Sequence, residues 1–196
     1  EGKMNQTITA IMNRRSIRKF LPEQVCEEKL QAILEAGRAA PSGANNQTSH
    51  ILVVQSPQKR QELIRLAVKR LAEMPYDDTT YKSLRSAIIR SQKGEWDFTY
   101  GAPTFIIVAN KKGYSNNLVD SACVLENMMI AAQSLGVGTC FINNIKWLYE
   151  DEQMLAYLRS LGMEQDEISC GGLSVGYSAM AALPPLKRTG NLVTRI

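Results

Sequence analysis

Four short apolar runs, His50–Val54, Thr104–Ala109, Val137–Ile142 and Ile168–Tyr177, are separated by longer stretches whose apolar residues recur at helical spacing. Short branched runs bounded by turn formers read as buried strands, and the 3.6-residue periodicity between them reads as helix. That alternation restricts the chain to an α/β or α+β sandwich, a small sheet held between helices. At 196 residues, with no linker, repeat or low-complexity segment, one core suffices, so residues 1–196 are expected to form a single domain.

Helix boundaries follow from capping and breaking residues. Thr7 is a candidate cap for a short first helix carrying Ile8, Ile11 and Met12, and Pro22 suits the first position of a second helix with Leu30, Ile33, Leu34 and Gly37 on one face. Pro41 stops that helix near Ala40. Ser56 and Pro57 open a third, which buries Leu63, Ile64, Ala67 and Leu71 and ends near Pro75. Residues 76–102 are ambiguous: Tyr81, Leu84 and Ile88 suggest a helix inside polar, turn-rich flanks, an excursion over one face. Further helices are expected from about Asn117 to Leu135, stopped by Gly136, and from Glu150 to Leu161, stopped by Gly162. From Ser178 onward Pro184, Pro185 and Gly190 forbid a helix, and Leu186, Leu192, Val193 and Ile196 have no covering element left, so residues 178–196 read as an extended arm lying against something else.

Composition excludes several functions. No uncharged apolar run exceeds five residues, far short of the roughly 20 needed to cross a bilayer, so no membrane role is expected. No secretory pattern opens the chain, which suggests the cytoplasm. The net charge of +4 comes from basic residues mostly interleaved with acids, apart from short clusters at 14–19 and 187–195, so a nucleic-acid partner is not expected. Cys26, Cys123, Cys140 and Cys170 lack metal or redox spacing and read as reduced packing residues. The Asn-Gln-Thr triplets at 5–7 and 46–48 read as chance matches to the glycosylation pattern.

The residues that carry chemistry narrow the choice further. Gly172-Leu173-Ser174-Val175-Gly176 matches a nucleophile elbow formally, but no helix follows it and the only histidine, His50, lies far upstream, so serine hydrolysis is rejected. One histidine cannot build a His-rich metal site, no metal is expected, and His50 reads as structural. Phosphate loops are absent, and Gly136-Val137-Gly138 lacks the third glycine of a dinucleotide fingerprint. What remains is Arg14, Arg15 and Arg18 beside Ser16 directly after a helix. Planar guanidinium forks and a hydroxyl suit a terminal phosphate, although a solvated basic turn is the more ordinary reading of such a cluster alone.

The segment Asn13-Arg14-Arg15-Ser16-Ile17-Arg18-Lys19-Phe20 resembles the opening motif of the flavin-dependent nitroreductase family, and residues 40–47, Ala-Pro-Ser-Gly-Ala-Asn-Asn-Gln, are similar to its second motif. The resemblance continues through Asp120, Glu126-Asn127-Met128 and Gly136-Val137-Gly138-Thr139-Cys140 to Pro184-Pro185-Leu186-Lys187-Arg188, in the family's order. It implies an α+β fold with a small mixed central sheet, in a homodimer that exchanges the arm and binds FMN noncovalently at the subunit interface. By motif, Arg14, Arg15, Ser16 and Arg18 would hold the flavin from one subunit, Arg18 serving also as the fixed cation that favours a reduced, anionic flavin. Pro41, Ser42, Gly43 and Asn45 would approach from the other. Phe141, Ile142 and Asn143 would lie along the ring, and Lys187 and Arg188 would complete the phosphate site. The implied activity is FMN-dependent NAD(P)H oxidoreduction of nitroaromatic, quinone or other electron-poor small-molecule acceptors by alternating hydride transfer, with NADH or NADPH as donor and no acid or base side chain required. Dehalogenation, enal reduction and flavin binding without turnover share the same motifs. Residues 76–102 stand where the family builds a substrate-facing lid, in which Tyr76, Tyr81, Trp96, Phe98 and Tyr100 either line the pocket or anchor the lid to the body. The chain departs from the family at Thr48-Ser49, where many members carry Pro and an aromatic residue, which bears on packing at the flavin edge.

Overall fold

The computed structural model describes residues 5–94 and 96–196. Helix α1 (Gln6–Asn13) is capped by Asn5, whose side-chain oxygen accepts the Ile8 amide at 2.9 Å, so Thr7 falls inside the first turn instead of capping it. Helix α2 (Glu27–Arg38) begins later than Pro22 suggests. Residues 21–24 are spent crossing the end of the sheet: the Leu21 amide donates to the Tyr177 carbonyl, and the Gln24 side chain bonds to the Pro103 carbonyl and the Thr104 hydroxyl. The helix starts only where Glu27 and Glu28 set two carboxylates against its positive end.

The sheet contains β1 (His50–Val54), β2 (Thr104–Lys111), β3 (Gly138–Ile142) and β4 (Glu167–Gly176) in the order β1-β2-β4-β3. Its four strands are antiparallel throughout, which corrects the expected mixed sheet; parallel pairing is confined to a bridge between Ser16 and Thr139. Two helices, α3 (Pro57–Ala72) and α4 (Lys82–Gln92), carry the chain out and back between β1 and β2, so β2 starts at the end where β1 finished and must run against it. The ambiguous 76–102 region thus contains α4, packed on α3, and Phe98 is buried edge-on against Phe105 at 6.1 Å between ring centroids.

Strand β2 divides the core. Phe105, Ile107 and Ala109 face a layer from α3 and α6 (Glu152–Ser160), whereas Ile106 and Val108 face α2 and α5 (Asn117–Ser134), the period-two alternation of a strand covered on both faces. Ser174 lies fully buried inside β4, so the elbow-like motif contains no exposed nucleophile. Beyond β4, the Ala179 amide bonds to the Lys19 carbonyl, and residues 183–196 are exposed. No helix among the described residues is long and apolar enough to cross a membrane.

Candidate functional site

The edge strand β3 organises the site. After α1 ends, the chain runs extended beside it: the Ile17 amide donates to the Thr139 carbonyl at 2.8 Å, and Phe20 bridges Ser178. Extended backbone alternates its side chains, which puts Arg14, Ser16 and Arg18 on one side. The Cys140 thiol registers that placement. Burial pushes it up, and the charges of Arg18 and Arg14 pull it partly back, so both guanidinium groups lie within electrostatic reach of β3, while the Arg14 Nε also stands 3.9 Å from a Glu126 carboxylate oxygen. Arg15 turns the other way and donates to the Pro184 carbonyl of the arm. The close approach requires Gly138, because a Cβ there would stand 2.9 Å from Ile17 Cγ1.

The second motif is a rigid, exposed loop. A 3-10 turn covers Gly43–Asn45, and Ala44, Asn45 and Gln47 all have positive φ, between 50° and 56°, which is strained for residues with a side chain. The loop is clamped from inside. Asp120, buried in the first turn of α5, accepts the Gly43 amide with both oxygens at 3.3 and 3.2 Å and the Tyr114 hydroxyl at 2.9 Å. Gly43 leaves room for this clamp, since a Cβ would lie 2.6 Å from the Tyr114 hydroxyl. Ser42 Oγ is engaged within the loop by the Gln47 amide at 3.0 Å. Among the described residues no hydrogen bond joins Pro41, Ser42, Gly43 and Asn45 to Arg14, Ser16 and Arg18.

At its far end, β3 delivers Phe141, Ile142 and Asn143 to the floor of a cavity of about 380 Å3 whose opposite wall is α4. From Thr139 to Ile142 is three residues, roughly 10 Å along the strand, so the arginine cluster and the cavity lie on the same edge at the two ends of a short rod. Of the aromatic residues of 76–102, Trp96 and Tyr100 line the cavity, Phe98 is buried in the core against Phe105, and Tyr76 and Tyr81 are exposed. Lys187 and Arg188 are exposed on the arm.

A family model described as the Nitroreductase family matches residues 11–177, most of the chain and every element from the end of α1 through β4. The chain belongs to the nitroreductase family. It is similar along its whole length to a nitroreductase with bound FMN from Bacteroides fragilis, at 34% identity, 98% coverage of this chain, 100% of that one and a TM-score of 0.88. It is also 29% identical over 150 residues to the FMN reductase (NADPH) of Bacillus subtilis and 33% identical over 148 residues to the NADPH-flavin oxidoreductase of Vibrio harveyi, each match covering 73% of this chain. The chain spans 56% and 55% of the length of those two relatives.

In this nitroreductase-family chain, three features of the site escape a reading of the sequence. The clamp of Asp120 and Tyr114 on the second-motif loop joins residues more than seventy positions from Gly43. Asn144, buried at 6% exposure on the cavity floor, sits one position beyond the expected Phe141–Asn143 run. Lys82 and Arg90 reach the cavity only because 82–92 forms one helix; their spacing of eight, two helical turns and a fraction, was the available signal. His50 stands apart from the site, its Nδ1 2.8 Å from the buried Glu167 carboxylate, a structural placement.

Proposed function

We propose that the chain is an FMN-dependent NAD(P)H oxidoreductase acting on nitroaromatic, quinone or other electron-poor acceptors, and that residues 1–196 work as one FMN-binding domain within a homodimer. The observation that carries this reading is the segment bearing Arg14, Ser16 and Arg18 laid along β3, through the Ser16–Thr139 bridge and the Ile17 amide, beside the cavity floored by Phe141, Ile142 and Asn143. The donor set fits a phosphate monoester: two guanidinium forks and a hydroxyl match its oxygens and its charge of about −1.5 to −2. Bound FMN would supply a planar ring able to take a hydride from the nicotinamide and pass it to an acceptor.

The chain's own residues bind and position. Arg14, Ser16 and Arg18 hold the anionic end, with Arg18 also the fixed cation near the ring, and Arg15 ties the arm to the same segment through Pro184. Phe141, Ile142 and Asn143 present a flat, partly apolar floor from an edge strand whose outer side accepts hydrogen bonds at Thr139. No side chain is assigned as a proton donor or base. Pro41, Ser42, Gly43 and Asn45, held rigid by Asp120, face outward, as a loop serving the site of a second copy would. Lys187 and Arg188 would reach that copy on the arm. Homodimerisation is supported by the exposed Ile8, Ile11 and Met12 of α1, Leu118 and Val119 of α5, and the uncovered Leu192 and Val193.

The test is optical. Purified protein should be yellow with a flavin spectrum, release FMN on denaturation, and bleach anaerobically on addition of NADH or NADPH. A colourless protein that does not take up FMN refutes the reading. A yellow one inert to both donors leaves flavin binding without turnover.

A further inference from the structure

The segment between α4 and β2 holds a tyrosine in a backbone conformation that suits glycine. Tyr100 has φ 60°, in the left-handed region, and Gly101 follows at φ 73°. A bulky residue stays in that region only where its surroundings over-determine it, and such residues gather where the conformation is used. What over-determines Tyr100 is one acidic residue. Asp97 accepts the Thr99 amide at 2.7 Å and the Thr99 hydroxyl at 2.6 Å with one carboxylate oxygen, and the Gly101 amide at 2.8 Å with the other. The Tyr100 amide donates to the Asp97 carbonyl at 3.2 Å, so all three backbone N–H groups from 99 to 101 bond back to Asp97.

The turn is also fixed from below. Phe98 and Thr99 are buried, and Phe98 stands edge-on to Trp96 at 6.0 Å and to Phe105 at 6.1 Å between ring centroids. With its interior pinned and its N–H groups taken, the turn sends the Tyr100 side chain one way. The ring packs against the α3 and α6 side of the core and lines the cavity floored by Phe141, Ile142 and Asn143. Asp97 is exposed and lines no part of that cavity, so any effect it has there passes through the turn it holds. A glycine at position 100 would remove the strain, and what tyrosine adds in its place is a ring on the cavity wall.

We propose that Asp97 is a positioning residue of the reductase: by holding Tyr100 in the left-handed conformation, it fixes the ring as the wall against which planar acceptors are held. The proposal rests on the flavin-reductase reading for what the ring meets. An aromatic wall favours a partner with a flat face and contributes nothing to one without. Tyr100 therefore sorts acceptors by shape, and Asp97 governs the sorting from outside the cavity.

The holoprotein is assayed with menadione, a flat bicyclic quinone, and with ferricyanide, an octahedral ion that has no face to stack. In alternating transfer, kcat/KM for either acceptor reports only the half-reaction that reoxidises the flavin, so their ratio is independent of the donor and of flavin content. Tyr100→Asn removes the ring while keeping a residue type that tolerates positive φ. It should lower the menadione-to-ferricyanide ratio about fivefold, the contribution of one aromatic pair, with the loss in KM and not in kcat. Asp97→Ala should lower the ratio to the same extent and the double variant no further, because without the ring the carboxylate has nothing to place. Asp97→Asn keeps an acceptor for Thr99 but turns an NH2 group toward the Gly101 amide, so an intermediate ratio is expected. That variant keeps the test available if Asp97→Ala disturbs folding. An unchanged ratio in the Asp97 variants, or losses that add in the double variant, overturns the proposal. A loss in Asp97→Ala with none in Tyr100→Asn also overturns it and assigns the effect to Trp96. The same cycle read by near-ultraviolet circular dichroism needs no flavin. Non-additive loss of aromatic signal in a protein that takes up no FMN would sink the reductase reading while keeping Asp97 as the residue that places the ring.

Discussion

The clamp on the second-motif loop offers the sharpest test of how the site is built. Asp120 is a buried carboxylate that accepts one amide, shared between its two oxygens, and one phenolic hydroxyl. Hydrogen bonds to a charged acceptor contribute about 1.5–3 kcal/mol each. Asp120→Ala removes both and leaves the Gly43 amide and the Tyr114 hydroxyl seeking partners. Because Gly43 and Tyr114 are only half-buried, water recovers part of the loss, which sets the expected destabilisation at roughly 3 kcal/mol. For a chain of this size that lowers Tm by roughly 6–12 °C. Asp120→Asn keeps the shape and an acceptor for Tyr114 but turns either a donor or a weaker oxygen toward the Gly43 amide, so a smaller loss is expected. The assay is thermal unfolding followed by circular dichroism, with and without saturating FMN. If the loop serves a flavin site, the stabilisation contributed by FMN should also shrink in both variants, because three residues at positive φ lose the contact that holds them there. A Tm within 2 °C of wild type for Asp120→Ala would refute the clamp. A large fall in Tm with the FMN increment intact would show that the loop is rigid for reasons unrelated to flavin.

Arg18→Ala should weaken FMN retention far more than Lys93→Ala, measured by flavin fluorescence titration, since only Arg18 lies in the β3 cluster; equal retention contradicts the assignment. Truncation after Ser178 removes the apolar tail together with Lys187 and Arg188 and should shift the proposed dimer toward monomer by light scattering, an unchanged mass ruling out an exchanged arm. Ser174→Ala removes a buried hydroxyl that has no partner and should leave chemical stability equal or raise it by about 1 kcal/mol, whereas a large loss would reveal a hidden partner. Burial and the charge of Glu62 push the Tyr157 phenol up to about 12, above its ordinary value near 10, so the native state holds this proton longer than the unfolded chain does. Its contribution is therefore complete below pH 10 and lost as pH rises toward 12, and Tyr157→Phe should flatten the alkaline fall in stability.

Much of this fold is written locally, and the parts that are not share a cause. The strands at 50–54 and 104–109 and the helices at 57–72 and 117–134 are set by short-range signals: branched apolar runs, a Ser-Pro start, a helical stripe. The late start of α2 is not, because Pro22 tolerates extended backbone as readily as a helix start, and what decides is the bonding of Leu21 and Gln24 to residues on the far side of the sheet. Strand direction is likewise invisible in any one run; it depends on 82–92 being a helix that returns the chain along α3. For the site, Arg14, Ser16 and Arg18 stand out by type, and the i, i+2, i+4 spacing puts them on one side once the segment is known to be extended. The clamp made by Asp120 and the place of Asn144 could not be found the same way, because a lone acidic residue at a helix start and an Asn after a strand are ordinary until their partners are placed.

The placement of the candidate site at an edge strand follows from the sheet itself. β2 and β4 are saturated by neighbours on both sides, so their backbone groups are unavailable to any ligand. Among the described residues only β1 and β3 have a side not taken by another strand of the sheet, and the two edges are treated differently. β3 is half-closed by Ile17 at Thr139, a contact that stops an exposed strand from recruiting another chain while bringing three polar side chains to it. Two residues further on, the covering segment has ended, and the strand opens into the cavity under α4. A molecule with an anionic tail and a flat ring can therefore lie along β3 with its charge at the covered end and its ring at the open end. Gly138→Ala tests this division directly: a methyl group 2.9 Å from Ile17 should push the covering segment outward and cost about 1–3 kcal/mol. It should weaken flavin retention, measured by titration with FMN, while leaving the emission of Trp96 and Trp147 in the flavin-free protein as in wild type, because the cavity end of β3 stays folded. A change in both readouts together would mean that the two ends of β3 do not act as separable halves.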